Sequence, residues 1–370
     1  MMPDKITVML VYGGKSAEHN VSLQTAYSVI QAIDKDKYEV QPIYINKLGD
    51  WLERPKVTGE IKDIKMLTVS EENANHTAIA PISPLSRLNN TKLNEESPLP
   101  VVFPLLHGTN GEDGTVQGLF ELLDVPYVGA NVLASSVAMD KVVLRDLFQA
   151  YGFPQPQYQS FTHYELEKDP TSCIQKVESK LGYPCFIKPA NAGSSVGISK
   201  CSNRSELEQG IHLALKYDRK IIIEKAVEGR EIEIGVIGND EPIASVAGEI
   251  TYANEFYDYQ SKYHDEQTQL IIPAQIPNEI YEQMKEIALT AYKAINCTGL
   301  ARIDFFLTND NQLMINEINT LPGFTPYSMF PQLWAHSGLS YPQLIDRLIE
   351  YAIERYEEKK KITYTQPLDE

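Results

Sequence analysis

From Leu300 to Asn319 polar and apolar residues alternate: ARIDFFL and QLMINEI flank the turn-forming tetrad TNDN. Period-two alternation on both sides of a turn predicts a β-hairpin. With the turn centred on Asp310 and Asn311, Asp304 lies opposite Glu317 and Arg302 opposite Asn319. Residues two apart on a strand share a face, so all four polar groups point the same way.

Other patterns fill in the chain on either side. KITVMLVY, then Gly13-Gly14 and a helical pattern from near Val21, predicts the opening of a βα unit, with YEVQPIYI as its second strand. Residues 55–98 are polar and poorly periodic, a variable and partly strand-like excursion. VVFPLL is the continuous apolar run of a buried parallel strand. A glycine loop follows it, then a helix from near Thr115 with Val116, Leu119, Phe120 and Leu123 on one face. SSVAMDKVVLRDLFQAYG predicts one helix, capped at Ser135 or Ser136 and ended at Gly152, with Lys141 inside it. FPQPQY is a connector, and a helix is predicted at about 172 to 181. PCFIKPA is a strand carrying Lys188, and NAGSSVG loops back into another. A helix from Ser205 opens on a capping box with Glu208. KIIIEKAV, EIEIGVIG and PIASVAGEI are strands, the last two antiparallel. Residues 251–269 form a long irregular, aromatic-rich segment, the pattern of a lid. IPNEIYEQMKEIALTAYKAIN is an amphipathic helix that turns Ile280, Met284, Ile287, Ala291 and Ile295 inward. Two further helices, at about 329–337 and 341–360, precede a frayed tail.

Composition narrows the function. With 370 residues, 43% hydrophobic and 22% charged, the chain is soluble, globular and long enough for two or three domains. A net charge of −17 argues against a general nucleic-acid or membrane-surface binder and allows only a local basic site. No apolar run reaches spanning length, and ITVMLVY is too short for a signal peptide. Cys173, Cys185, Cys201 and Cys297 show no metal spacing, which points to reduced, structural thiols in the cytosol.

The chemistry gathers around the hairpin. Directly opposed carboxylates repel, so Asp304 and Glu317 call for a positive charge between them. Oxygen donors from Asp304, Glu317 and Asn319 suit magnesium, usually shared with substrate phosphates. The amides and hydroxyls of the Gly193–Gly197 loop, with Ser194 and Ser195, form a phosphate clamp beside Lys188. His107 sits at the carboxyl end of a parallel strand, where open α/β sheets place ligands. From pattern alone, Glu18 is a carboxylate complementing a helix N-terminus. GGKS is not a Walker loop, because Met9 stands where that motif needs glycine. Neither a GxGxxG fingerprint nor a Ser/His/Asp arrangement is present. A magnesium site, Lys141, Lys188 and Lys262, a phosphate loop and a lid together make a site for ATP and phosphoryl transfer.

GGKSAEHNVS, HGTNGEDGTVQG, MDK, FIKPANAGSSVGISK, FYDYQSKY, ARIDFF and NEINTLPGFTPYS occur in this order. Together they resemble the D-alanine–D-alanine ligase family of the ATP-grasp superfamily, from Val8 to about residue 350. The resemblance implies α/β and α+β architecture. A Rossmann-like parallel-sheet domain (1–130) precedes central (131–226) and C-terminal (227–361) ATP-grasp domains, with a tail at 362–370. ATP would lie between two antiparallel sheets, with Glu224, Lys225 and Val227 at the adenine and Glu231 at the ribose. Lys141, Lys188 and Lys262 would contact phosphates under the Gly193–Gly197 loop. Asp304, Glu317 and Asn319 would ligate two magnesium ions, with manganese a possible substitute. The first D-alanine would attack the γ-phosphate, and the amine of the second would then attack the D-alanyl phosphate. Arg302 and the Gly323 amide would hold the oxyanion. Glu18 would take the first ammonium with His107 nearby, and Ser328 with Met329 would take the second carboxylate. Ser194, Tyr263 and Glu18 would form a hydrogen-bonded triad, and the Lys262-Tyr263 pair fits D-alanine as second substrate. Relatives that use D-lactate or D-serine are the rival reading. A non-catalytic ATP-binding module is opposed by the intact metal-site residues. The family is commonly dimeric through its first domain.

Overall fold

The computed structural model describes residues 5–16, 18–68, 78–79, 99–193, 195–251 and 269–364. In the first sheet β1 (Ile6–Gly13) runs parallel to β2 (Tyr38–Ile45) and to β5 (Val101–Leu106). Antiparallel β3 (Trp51–Glu53) and β4 (Ala78–Ile79) extend one edge, giving the order β4-β3-β2-β1-β5. Separate apolar clusters cover the two faces of this sheet. Burial on both sides is why β1 and β5 read as unbroken apolar runs. β1 ends at Gly13, whose φ is +95°. A Cβ there would lie 2.1 Å from the Ile45 carbonyl oxygen, so only glycine fits. The chain then turns into α1 (His19–Ala32), which starts two residues before the expected Val21 and places Glu18 at its N-cap.

α2 (Thr115–Leu122) follows the glycine loop as predicted. The helix predicted across 135–152 is two helices, α3 (Val132–Met139) and α4 (Lys141–Ala150). Asp140 breaks it: its side chain accepts from the Val142 and Val143 amides and caps α4. A short acceptor that satisfies first-turn amides starts a helix rather than continuing one. Lys141 is therefore the first residue of α4, not an interior one.

The second sheet is antiparallel, order β6-β9-β7-β8, from β6 (Tyr158–Thr162), β7 (Cys185–Pro189), β8 (Ser199–Cys201) and β9 (Lys220–Lys225). α5 (His163–Lys168), α6 (Pro170–Lys180) and α7 (Arg204–Ala214) accompany it, and a separate core lies within this unit. α7 is capped by Asn203, which accepts from the Glu206 amide, two residues before the predicted Ser205–Glu208 box.

In the third sheet the order is β12-β11-β10-β13-β14, with β10 (Gly229–Gly238), β11 (Ile243–Thr251), β12 (Gln269–Ile271), β13 (Gly299–Thr308) and β14 (Leu313–Asn319). Thr251 pairs with Gln269, so the two ends of the expected lid are held together, while residues 252–268 lie outside those described. α8 (Asn278–Ala294) covers the back of this sheet with Met284 and Ala291 buried, and Ile280 and Ile287 only half-buried. α3 and α4 share that core through Ala134, Ala138, Leu144 and Phe148.

α9 (Met329–His336) and α10 (Tyr341–Lys359) close the chain. Leu344, Ile345, Leu348 and Ile349 of α10 pack with Val8, Leu10 and Phe103 of the first sheet. Arg355 donates to the carbonyls of Gly129 (2.7 Å) and Tyr127 (2.8 Å). The first and third sheets are thus tied through one shared core, while the 158–225 unit has its own. Among the described residues no helix is long and apolar enough to cross a membrane.

Candidate active site

In the hairpin, Arg302 pairs with Asn319 and Asp304 with Glu317, as the alternation predicts. The route to that register differs. Leu307 pairs with Leu313 and Phe305 with Ile315, so the turn closes on Asp310 rather than between Asp310 and Asn311. A β-bulge between Asp304 and Phe305 then restores the pairing by adding Asn316 to β14. Two bulged residues oppose one partner and re-aim their side chains. The signal is visible in LMINEIN, where the buried positions Leu313 and Ile315 are followed by Ile318, three residues on instead of two.

Asp304 also pairs with Glu233 of β10, which adds another carboxylate to the face. Arg302 answers this charge. Its Nε and Nη2 donate to the two Asp304 oxygens at 2.7 and 2.8 Å, and Nε lies 3.0 Å from Glu233. Burial opposes the guanidinium charge, but Asp304 and Glu233 outweigh it and hold its pKa well above the usual value.

Glu224 of β9 is buried and doubly paired, to Arg145 at 2.6 Å and to Lys188 at 2.7 Å. Burial pushes its carboxyl up, yet Arg145 and Lys188 hold it down at about 2. Lys141 donates through Nζ to the Ala192 carbonyl at 2.7 Å and through its amide to Ala190 at 3.0 Å, so the start of α4 grips the stem of the 190–198 loop. Burial lowers the Lys141 pKa; Glu317 opposes that fall and neighbouring Lys188 adds to it. Glu317 of the third sheet and Lys188 of the second therefore both bear on one ammonium.

The first sheet contributes the third wall. His107 is buried, lies 3.6 Å from Glu112, and its Nε2 has no hydrogen-bond partner among the described residues. A cavity of about 10 Å³ beside it is lined by Thr25, Leu105, Leu300, Pro322 and Phe324. Buried Glu18 lies against Gly108, where a Cβ would sit 3.1 Å from its carboxylate. A Cβ on Gly193 would lie 3.7 Å from Glu112, so the glycine loop and the Gly-Ser loop meet. After β14, Asn319 Oδ1 accepts from the Leu321 amide at 3.1 Å and bends the chain toward Gly323. Ser328 Oγ lies beside Gly323 and Thr325, and Met329 is buried at the start of α9.

Pairwise contacts link the predicted residues: Glu224 with Lys188, Glu317 and Lys188 with Lys141, Glu112 with both His107 and Gly193, Arg302 with Asp304, and Gly323 with Ser328. Ser195, at φ +58°, continues the loop; Lys225 and Val227 follow Glu224, and Glu231 lies opposite Phe306. Ser194, Lys262 and Tyr263 lie outside the described residues. The sequence reading missed Glu112, Arg145, Glu233 and Asn316. Of these Arg145 carried a signal: it falls on the apolar stripe of α4 with Val142, Leu144 and Phe148.

Among the described residues no group of three or more His, Cys, Asp or Glu is placed to hold a metal. The donor set read from sequence mixes Asp304 and Glu317 with the amide of Asn319. Two opposed carboxylates and a neutral oxygen on one face fit a hard dication, which needs oxygen ligands and charge compensation.

A family model for the D-ala D-ala ligase N-terminus matches residues 7–130, and one for its C-terminus matches residues 147–350. The D-alanine–D-alanine ligase of Geobacillus thermodenitrificans is 55% identical over 98% of this chain and 99% of its own length. That of Bacillus velezensis is 54% identical over 96% and 100%. Among solved structures, the VanG D-Ala:D-Ser ligase of Enterococcus faecalis superposes with a TM-score of 0.81 at 35% identity, covering 94% of this chain and all of that one. The fold is that of the ATP-grasp ligases. Matched in both halves, and by relatives of this identity along nearly its whole length, the chain belongs to the D-alanine–D-alanine ligase family.

Proposed function

We propose that this chain joins two D-alanines to D-alanyl-D-alanine for peptidoglycan precursors, converting ATP to ADP and phosphate by way of D-alanyl phosphate. The observation that carries the reading is the one face shared by Arg302, Asp304, Glu317 and Asn319, set against Lys141 and Lys188 from the facing elements. Positioning and charge neutralisation are what phosphoryl transfer asks of a protein.

The cleft divides by chemistry. Glu224, Lys225 and Val227 would hold adenine, and Glu231 the ribose. Lys141, Lys188 and Lys262 would take phosphates beneath Gly193, Ser194 and Ser195. Asp304, Glu317 and Asn319 would hold two magnesium ions, or manganese in their place, and a cation there supplies neutralisation of the terminal phosphates. Glu18 would bind the first ammonium, and the unpartnered His107 Nε2 would face that amino acid. Arg302, together with the Gly323 amide, would meet the oxyanion that develops at the acyl carbon. Ser328 and the Met329 amide would receive the second carboxylate, and Ser194, Tyr263 and Glu18 would join lid, loop and first domain. Residues 1–130, 131–226 and 227–361 would act as the three domains of a cytoplasmic homodimer.

Phosphate release from ATP and magnesium, measured with D-alanine and with L-alanine, tests the reading. It is supported by release that depends on the D-isomer. Equal release with both isomers, or none with either, removes it. Dipeptide analysis with D-serine and D-lactate as competitors separates the second substrate, a question sharpened by the likeness to a D-Ala:D-Ser ligase.

A further inference from the structure

The largest charged group in the cleft that the reaction scheme leaves unused is Arg145. It is 3% exposed, on α4, between the second and third sheets. Its guanidinium reaches both. Nε donates to Glu224 of β9 at 2.6 Å, Nη1 to the Ile315 carbonyl at 2.9 Å and Nη2 to Asn316 Oδ1 at 3.1 Å. Ile315 and Asn316 are the bulged end of β14, directly before Glu317.

We infer that Arg145 is a positioning residue that couples the nucleotide side of the cleft to its metal side, an inference that rests on the cleft's being the ATP site. Two physical arguments support it. The first concerns Glu224. Its two cations are unequal: Arg145 is sealed in, whereas the Lys188 side chain is 16% exposed and ends in a mobile ammonium. When Lys188 turns to a phosphate, Glu224 without Arg145 would be left buried with no counterion, a strongly unfavourable state. Arg145 is the partner that stays, so Glu224 remains ionised and in place at the adenine. The second concerns the bulge. An extra residue in a ladder leaves backbone and side-chain acceptors to be satisfied. Arg145 takes both the Ile315 carbonyl and the Asn316 amide oxygen, which orients Glu317 toward Asp304. Lysine keeps the charge but not the planar fork, so the two roles are separable.

The test uses the full chain with Arg145→Met, Arg145→Lys and Asn316→Ala. Binding of MgATP is read by titration calorimetry without D-alanine, and the magnesium concentration for half-maximal phosphate release is read with it. Arg145→Met weakens MgATP binding by roughly tenfold or more and raises the magnesium requirement. Arg145→Lys recovers MgATP binding but keeps the raised magnesium requirement. Asn316→Ala raises the magnesium requirement alone, with MgATP binding at saturating metal within about twofold of the parent. A group that only holds the fold would lower stability without this split. Wild-type values for Arg145→Lys and Asn316→Ala in both measurements overturn the inference, and so does loss of both properties together in Asn316→Ala. Should Arg145→Met not fold, the other two variants still decide. A parent protein that binds MgATP but releases no phosphate with D-alanine defeats the ligase reading, while the binding comparison continues to report on Arg145.

Discussion

Glu317 and Glu224 show how one residue type serves two ends in this cleft. Glu317 faces Asp304 across the hairpin, and its charge acts on both the Lys141 ammonium and the Arg302 guanidinium. Glu317→Gln removes one negative charge without changing volume. D-alanine-dependent phosphate release should fall to background while the circular dichroism melt stays within a few degrees of the parent; a collapsed melt would instead assign Glu317 a structural role. Glu224 is held at about 2 against an ordinary 4.5, so its ion pairs stabilise the fold above pH 4.5 and lose that effect as pH falls toward 2. The shift corresponds to a stabilisation on the order of 3 kcal/mol. In urea titrations, Glu224→Gln should therefore be weaker than the parent at pH 6, and the gap should close between pH 4.5 and 2. A gap constant with pH would remove this linkage. Arg302 and Asp304 were legible because alternation displayed them. Glu233 and Glu112 were not, because each joins the site from an element whose local pattern is ordinary.

The hairpin and the start of α4 are the elements on which the cleft turns. Alternation located the hairpin, but the tighter turn and the bulge were misjudged and cancelled in the register. That cancellation reflects the core: Leu313, Ile315 and Ile318 must all face inward, and only an inserted residue lets them do so. At α4 the apolar stripe runs through the break at Asp140, so hydrophobic period alone sees one helix. Asp140 caps α4 through two amides and pairs with Lys220. Asp140→Ala should cost about 1–2 kcal/mol in urea stability, the usual loss for an N-cap. Because Lys141 begins the same turn and grips Ala190 and Ala192, the KM for ATP should also rise severalfold. A stability loss with an unchanged KM would separate the cap from the phosphate site.

Across the whole molecule, packing joins segments far apart in the chain. α10 lies in the core of the first sheet, and Arg355 binds the Tyr127 and Gly129 carbonyls and stacks 4.2 Å from the Tyr127 ring. Arg355→Met leaves those carbonyls without donors and should cost about 2–4 kcal/mol. Hydrogen exchange should accelerate together in 127–130 and in α10, with 158–225 unaffected. Faster exchange confined to α10 would show that the helix is an appendage rather than part of that core.

What was readable without coordinates was whatever is periodic or local: strand alternation, apolar runs, glycine loops, and the order of motifs that marks the family. These signals arise between near neighbours in the chain, so they survive in a linear reading. The fork of Arg145 between two sheets and the shared core of the first sheet and α10 unite residues separated by 79 to more than 300 positions. Such contacts exist only once the sheets have packed, because side-chain volume and buried charge, not local period, choose the partners.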